Sequence, residues 1–268
     1  MKTKKIVVFS LCAVLPMMCL GVLVHLIGNN LVTMALSSLA MMLPLLAGVF
    51  TQLIYKEPIL KNLGISFKLN RWWFVGALLM PVLAMAILGV SLLMPGAYWN
   101  VESETIRMAL DQMPAGTGPW GMIAITLVSG IFAGATINAL FALGEEIGWR
   151  GFLVKEFEGK SFMAMCLVSG AIWGFWHFPL ILNGHNYPQH PVIGVFMMVI
   201  MCMALTPMFL YFRQKSGSVV VPAIMHGTFN AVVGISNLFV APANDLLIGG
   251  PGLAGFIVIL SADLLLYL

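Results

Sequence analysis

Charge is scarce in this chain. Of its 268 residues only 9% are Asp, Glu, Lys or Arg, whereas 60% are hydrophobic, and the mean hydropathy is +1.00. A soluble domain carries about 25% charged residues, so there is too little polar surface here to cover a water-facing globule. With lipid as the solvent, every backbone N–H and C=O needs an internal partner, which leaves helices or closed-barrel strands. The apolar runs reach about twenty residues without alternation, a length that fits helices. The fold class is therefore all-α, a polytopic transmembrane helical bundle, with one transmembrane domain expected over 1–268.

Other absences narrow the function. The net charge is only +3 and the basic residues sit at the ends of apolar runs, so there is no nucleic-acid footprint. Cys12, Cys19, Cys166 and Cys202 lie inside apolar runs with no C-x-x-C spacing, which argues against a disulfide scaffold or a zinc ribbon. The H-E-x-x-H pattern of zinc peptidases is missing, and there is no internal repeat. Lys2, Lys4 and Lys5 precede an apolar stretch, but it outruns the ~7–15 residues of a signal peptide's core and no small-x-small site closes it. A retained first span is expected.

Eight candidate spans are present, at 6–27, 31–54, 72–93, 120–143, 162–182, 192–212, 219–240 and 251–268. With the N-terminus inside, twelve of the thirteen basic residues fall on one side and only Arg107 on the other. The positive-inside rule makes the basic side cytoplasmic. Trp72 and Trp73 mark an interface, and the acidic 95–119 connection has room for a short surface helix.

Ionisable groups are costly inside a bilayer, at least ~2.5–3.5 kcal/mol on insertion scales, so those within the runs claim a purpose. They are His25, Glu145, Glu146, Arg150, His177, His226 and Asp263, with Asn230 beside them. Glu146 and Arg150 are four apart and share a helix face, which suits an ion pair. Glu145 then points about 100° away at ~3.6 residues per turn and is free to act as a general base. The bland alternative is a charged helix end. His177 sits among Trp173, Phe175 and Trp176 and ahead of Pro179, as a base, a ligand or a merely satisfied core imidazole. His226 and Asn230, again four apart, give two donors aimed at one point, which suits an oxyanion or interhelical glue. His25 reads as an interface residue, and Asp263 as a partner for another helix. His185, Asn186, Tyr187 and His190 read as a polar outer turn, only weakly suggestive of metal.

Straight helices pose a difficulty. If the fourth run ends at Leu143, Glu145 lies about 22 Å from His177 along the bilayer normal. The expected remedy is a helix from near Thr126 to about Arg150, and a fifth helix starting near Cys166. Glu145, His226 and His177 then lie ~7, ~10 and ~16 Å deep in a cavity open to the cytoplasm.

Glu145-Glu146-x-x-x-Arg150, the aromatic-x-x-x-His run ending at His177, and His226-x-x-x-Asn230 resemble, in this order, the CAAX-protease and bacteriocin-processing (CPBP or ABI) family, which includes the type II CAAX prenyl endopeptidases. The second motif departs, with Trp173 where the family usually has Phe. The resemblance covers about 141–234, within a motif-bearing core of about 120–240. It implies an intramembrane glutamic endopeptidase in which Glu145 and His177 activate water, His226 and Asn230 stabilise the oxyanion, and Glu146 and Arg150 support. Trp173 and Trp176 would wall the substrate pocket, and no cofactor is needed. The implied partners are the lipid bilayer and a membrane-associated or lipid-modified protein or peptide, in the plasma membrane of a bacterium. The alternatives are a zinc protease with Glu145, His177 and His226 as ligands, a non-catalytic bacteriocin-immunity or scaffold protein, and a proton-coupled transporter.

Overall fold

Asn, Ser, Pro and Gly punctuate the apolar runs into helices. The computed structural model describes residues 2–28 and 30–267. It begins with α1 (Lys2–Ile27), α2 (Leu31–Ala40), α3 (Leu43–Ile54) and α4 (Arg71–Ser91). A two-residue strand, β1 (Tyr98–Trp99), and the expected surface helix, α5 (Glu104–Asp111), occupy the long acidic connection. Helices α6 (Pro119–Ala135) and α7 (Ile137–Glu146) lead into a π-helical segment, Ile147–Leu153, and then α8 (Val154–Glu156). There follow α9 (Phe162–Trp176), α10 (Phe178–Ile181), α11 (Pro191–Ser216), α12 (Val220–Val232) and α13 (Ile235–Phe239). Strand β2 (Val240–Ala241) pairs antiparallel with β1, and α14 (Leu253–Tyr267) comes last. Side-chain oxygens of Asn30, Asn70 and Ser161 accept the first free N–H groups of α2, α4 and α9, as N-caps do. Gly217, at φ 71°, closes α11 in the left-handed conformation that glycine adopts without strain.

An all-α membrane bundle fits these elements, but the expected count of eight full spans does not carry over. Three helices, α1, α4 and α11, are long and apolar enough to cross a membrane. Two bent pairs, α2 with α3 at 42° and α6 with Ile137–Glu156 at 54°, raise the number to five. The remaining apolar runs form shorter helices: α9 and α14 have 15 residues each and α12 has 13. A 15-residue helix rises only about 22 Å, short of the ~30 Å hydrocarbon core.

Small residues set how closely these helices approach. Gly170 and Gly174 on α9 face α11, where an added Cβ would come 2.9 Å from the carbonyl oxygens of Cys202 and Met198 respectively. Gly144 and Gly148 seat α7 and the π segment on the break between α2 and α3, against Met41, Met42 and Pro44. Gly227 brings α12 onto the start of α7, and its carbonyl accepts a bond from Asn138 Nδ2 at 3.2 Å. The run from α7 into the π segment and α9 thus both use the Gly-x-x-x-Gly spacing that brings membrane helices into backbone contact.

The molecule has two distinct poles. At one, Lys5 binds Glu57, Lys155 Nζ lies 2.7 Å from Glu57 Oε2, and Lys2 Nζ bonds the Glu158 carbonyl at 3.0 Å. Asn70 Nδ2 bonds the Ser216 carbonyl at the same end. At the other, Trp99 stacks between Trp120 and Phe239, and the Gln189 and His190 N–H groups bond Asp245.

Glu57 lies in a loop, where hydrogen bonds from Lys155 and then Lys5 hold its carboxyl below the ordinary 4.5. A group depressed on folding contributes stability above its unfolded value and loses it as pH falls through the folded one. Glu57→Gln should therefore cost about 1 kcal/mol at pH 7, the scale of a partly exposed pair. The difference should vanish on acidification below the lowered value, as read by thermal unfolding of both proteins in detergent across pH.

Candidate active site

The adjacent acids Glu145 and Glu146 end α7 where the helix widens into the π turn, and all seven residues of that turn are buried. Wide turns of this kind are rare and frequent at functional sites. The four-residue spacing delivers two separate contacts. Arg150 Nη1 reaches Glu146 Oε1 at 3.1 Å, the expected ion pair, and Trp149 Nε1 donates to Glu145 Oε2 at 3.1 Å.

Glu145 Oε2 also accepts from Trp173 Nε1 at 2.7 Å, so two indoles from different elements fix one carboxylate oxygen. The other oxygen, Oε1, has no hydrogen-bond partner among the described residues. Glu145 is only 2% exposed, and what exposure it has is to a cavity of about 400 Å³. This volume is typical of a ligand site.

Behind that acid lies a buried charged layer. Glu146 Oε1 receives both Arg150 and His226 Nδ1, the latter at 3.0 Å, while Glu146 Oε2 is buried without a partner among the described residues. Arg150 extends its other amino group to Thr206 Oγ1 at 3.3 Å, and its guanidinium sits 4.2 Å from the Trp173 ring centre and 4.9 Å from that of Phe209. Thr206 in turn donates to the Cys202 carbonyl at 2.6 Å. The two Nη groups are thereby held by a carboxylate and a hydroxyl and the plane by two rings, as a buried cation requires, while Nε is buried without a hydrogen-bond partner among the described residues.

The two histidines share one arrangement. His177 Nδ1 lies 2.9 Å from the Trp173 carbonyl, an acceptor only, so Nδ1 carries the proton. His226 Nδ1 likewise faces the Glu146 carboxylate. In both rings Nε2 is the nitrogen left for the cavity that both line. Asn230, one turn beyond His226 and exposed, lines the same cavity.

The structure therefore brings together Glu145, His177, His226, Asn230, Trp173 and Trp176 around one space, with Glu146 and Arg150 behind them. As placed, Glu145, His177 and His226 do not form a set able to hold one metal ion, nor does any other trio of His, Cys, Asp or Glu among the described residues. His25 is exposed at the end of α1. Asp263 is buried on α14, and its Oδ1 finds none of the expected helix partners among the described residues. His190 binds Asp245 at 2.6 Å and Tyr187 bonds the Pro251 carbonyl, so the 185–190 segment is a tied turn, with His185 and Asn186 at the cavity rim. Trp149 and Thr206 escaped the sequence reading. Trp149 stands four residues after Glu145, a spacing that announces the contact, whereas nothing in the α11 sequence singles out Thr206.

Two expectations about placement need correcting. The fourth run does continue helically through Arg150, but it starts at Pro119 rather than near Thr126, and α9 starts at Phe162 rather than near Cys166. The 54° bend at Thr136 and the close seat of Gly227 on α7 do what shifted ends were expected to do. The cavity also does not widen toward the basic loops. It runs from Glu145 toward Met34, His185 and Pro251, at the opposite pole.

No curated protein matches this chain. Residues 119–232, which span α6 through α12 and hold every motif residue, match the family model described as Type II CAAX prenyl endopeptidase Rce1-like, in agreement with the resemblance to the CPBP family.

Proposed function

We propose that this chain is an intramembrane endopeptidase that hydrolyses a peptide bond with water activated by Glu145 and His177. The family match supports a CAAX-type intramembrane protease in general terms. The observation that carries the finer reading is the carboxylate of Glu145, pinned through one oxygen by Trp149 and Trp173 beside a cavity shared with two imidazoles. A base held in one orientation before substrate arrives spends no reorganisation at the moment of reaction.

In this scheme water enters between Glu145 and His177 Nε2. Glu145 takes a proton as the water oxygen bonds the scissile carbonyl carbon. Asn230 Nδ2 and, when protonated at Nε2, His226 donate to the oxyanion. Glu145 then passes its proton to the leaving nitrogen as the C–N bond breaks. Glu146 holds His226 by its Nδ1, and Arg150 holds Glu146. The test is a comparison of membrane peptides from cells producing wild type or Glu145→Gln. A peptide that appears only with wild type supports the proposal; identical peptide sets refute it.

Trp173 is a positioning residue in this reading. Trp173→Phe keeps an aromatic wall but deletes the 2.7 Å bond to Glu145. A hydrogen bond to a charged group contributes about 1.5–3 kcal/mol, so kcat should fall about 10- to 100-fold. KM should change much less, and steady-state kinetics on a cleaved peptide would separate the two.

A further inference from the structure

The basic loops and the cavity mouth lie at opposite poles. Of thirteen Lys and Arg residues, Arg150 is interior and Arg107 belongs to α5, leaving eleven. These eleven occupy the N-terminus and the segments 56–71, 155–160 and 213–215, which the contacts of Glu57, Asn70 and Glu158 gather at one end. The far pole carries Arg107 against Glu102, Glu104, Asp111 and Asp245. By the positive-inside rule the first pole is cytoplasmic and the second is not.

Side chains around the site separate it from the basic pole. Beneath Glu145 lie Trp149, Phe152 and Phe9, each 0% exposed, with Phe9 stacked on Phe152 at 4.9 Å and edge-on to Trp149 at 5.5 Å. Leu63, 1% exposed, packs into the same core cluster. On the other side the cavity passes Ser37 of α2 and Met41 just beyond it, and ends among His185, Asn186 and Pro251. Packing closes one route to Glu145 and the cavity supplies the other.

The geometry points to an active site entered from the non-cytoplasmic face, so that the substrate is a peptide bond of an exported or membrane-anchored polypeptide in the outer half of the bilayer. A lipid-modified tail presented from the cytoplasm meets the packed side. This inference rests on the protease reading for its substrate, but the direction of access stands on charge and packing alone.

Orientation is testable without catalysis. His185→Cys places a thiol at the exposed cavity mouth, and Lys61→Cys places one in the exposed basic loop. Intact cells producing full-length protein are treated with a charged, membrane-impermeant maleimide, with wild type as the background for Cys12, Cys19, Cys166 and Cys202. Labelling of His185→Cys in intact cells, with Lys61→Cys labelled only after permeabilisation, is expected. The reverse pattern, labelling of both in intact cells, or labelling of neither until permeabilisation would each overturn the inference. The protease reading fails separately, if Glu145→Gln leaves the membrane peptides unchanged while the labelling pattern holds.

Discussion

Glu145→Gln should lower the rate of peptide cleavage by about 10²–10⁴-fold, the range that positioned general bases supply, with little loss of fold. The amide keeps an oxygen that accepts from Trp149 and Trp173, and it adds no volume to the site. What it cannot do is take a proton from water. The same substitution at Glu146 should behave differently, because Glu146 carries Arg150 and His226 and is 0% exposed. There, a loss of activity should come with a loss of stability. Single-turnover cleavage of a membrane peptide, paired with thermal unfolding in detergent, separates the two acids. A Glu145→Gln enzyme within a few-fold of wild type would remove Glu145 from the chemistry, and equal stability losses at both positions would remove the distinction drawn between them.

Much of this site could be read from residue types and spacing. Glu146 and Arg150 meet because four residues make about one turn, and the three motifs were placed in separate helices by hydropathy alone. The same rule applied to Glu145 leads directly to Trp149. What straight-helix arithmetic could not supply was depth. A ~22 Å separation between Glu145 and His177 follows from ideal rise, yet both line one cavity; the bend at Thr136, with Gly227 seated closely on α7, and the π turn at Ile147–Leu153 are what straight helices lack. Neither has a proline to announce it. The π turn contains two glycines that seat it on other parts of the chain, Gly148 on Pro44 of α3 and Gly151 on Leu63 of the loop after α3, so tertiary packing decides the local form. The direction of the cavity was illegible for a similar reason. It depends on Phe9 and Phe152, remote in sequence, filling the space beneath the acids. The charge sorting itself is legible in the sequence, and it is the cavity lining, from Glu145 to Met34, His185 and Pro251, that sequence alone does not place at the pole away from the basic loops.

The second large effect is expected at Arg150. Arg150→Ala should destabilise the protein by about 3–5 kcal/mol, the scale for removing one member of a buried ion pair. The guanidinium makes four contacts at once: Glu146 at 3.1 Å, Thr206 at 3.3 Å, and the faces of Trp173 and Phe209. Without it Glu146 retains His226 Nδ1 as its one hydrogen-bond partner among the described residues, and a buried carboxylate so poorly matched must protonate or draw in water. Either outcome changes what holds His226, so cleavage should fall together with stability. Arg150→Lys should rescue little, since an ammonium cannot span Glu146 and Thr206 while lying flat between two rings. Removing both charges, with Glu146→Gln and Arg150→Met, should recover part of the stability, because it is the unpaired charge that costs most. It should not recover cleavage, because the carboxylate on His226 is gone. Thermal unfolding and single-turnover rates for the four proteins test this together. Recovery of both quantities in the double variant would show that Glu146 and Arg150 only fill space, and that His226 is positioned by something else.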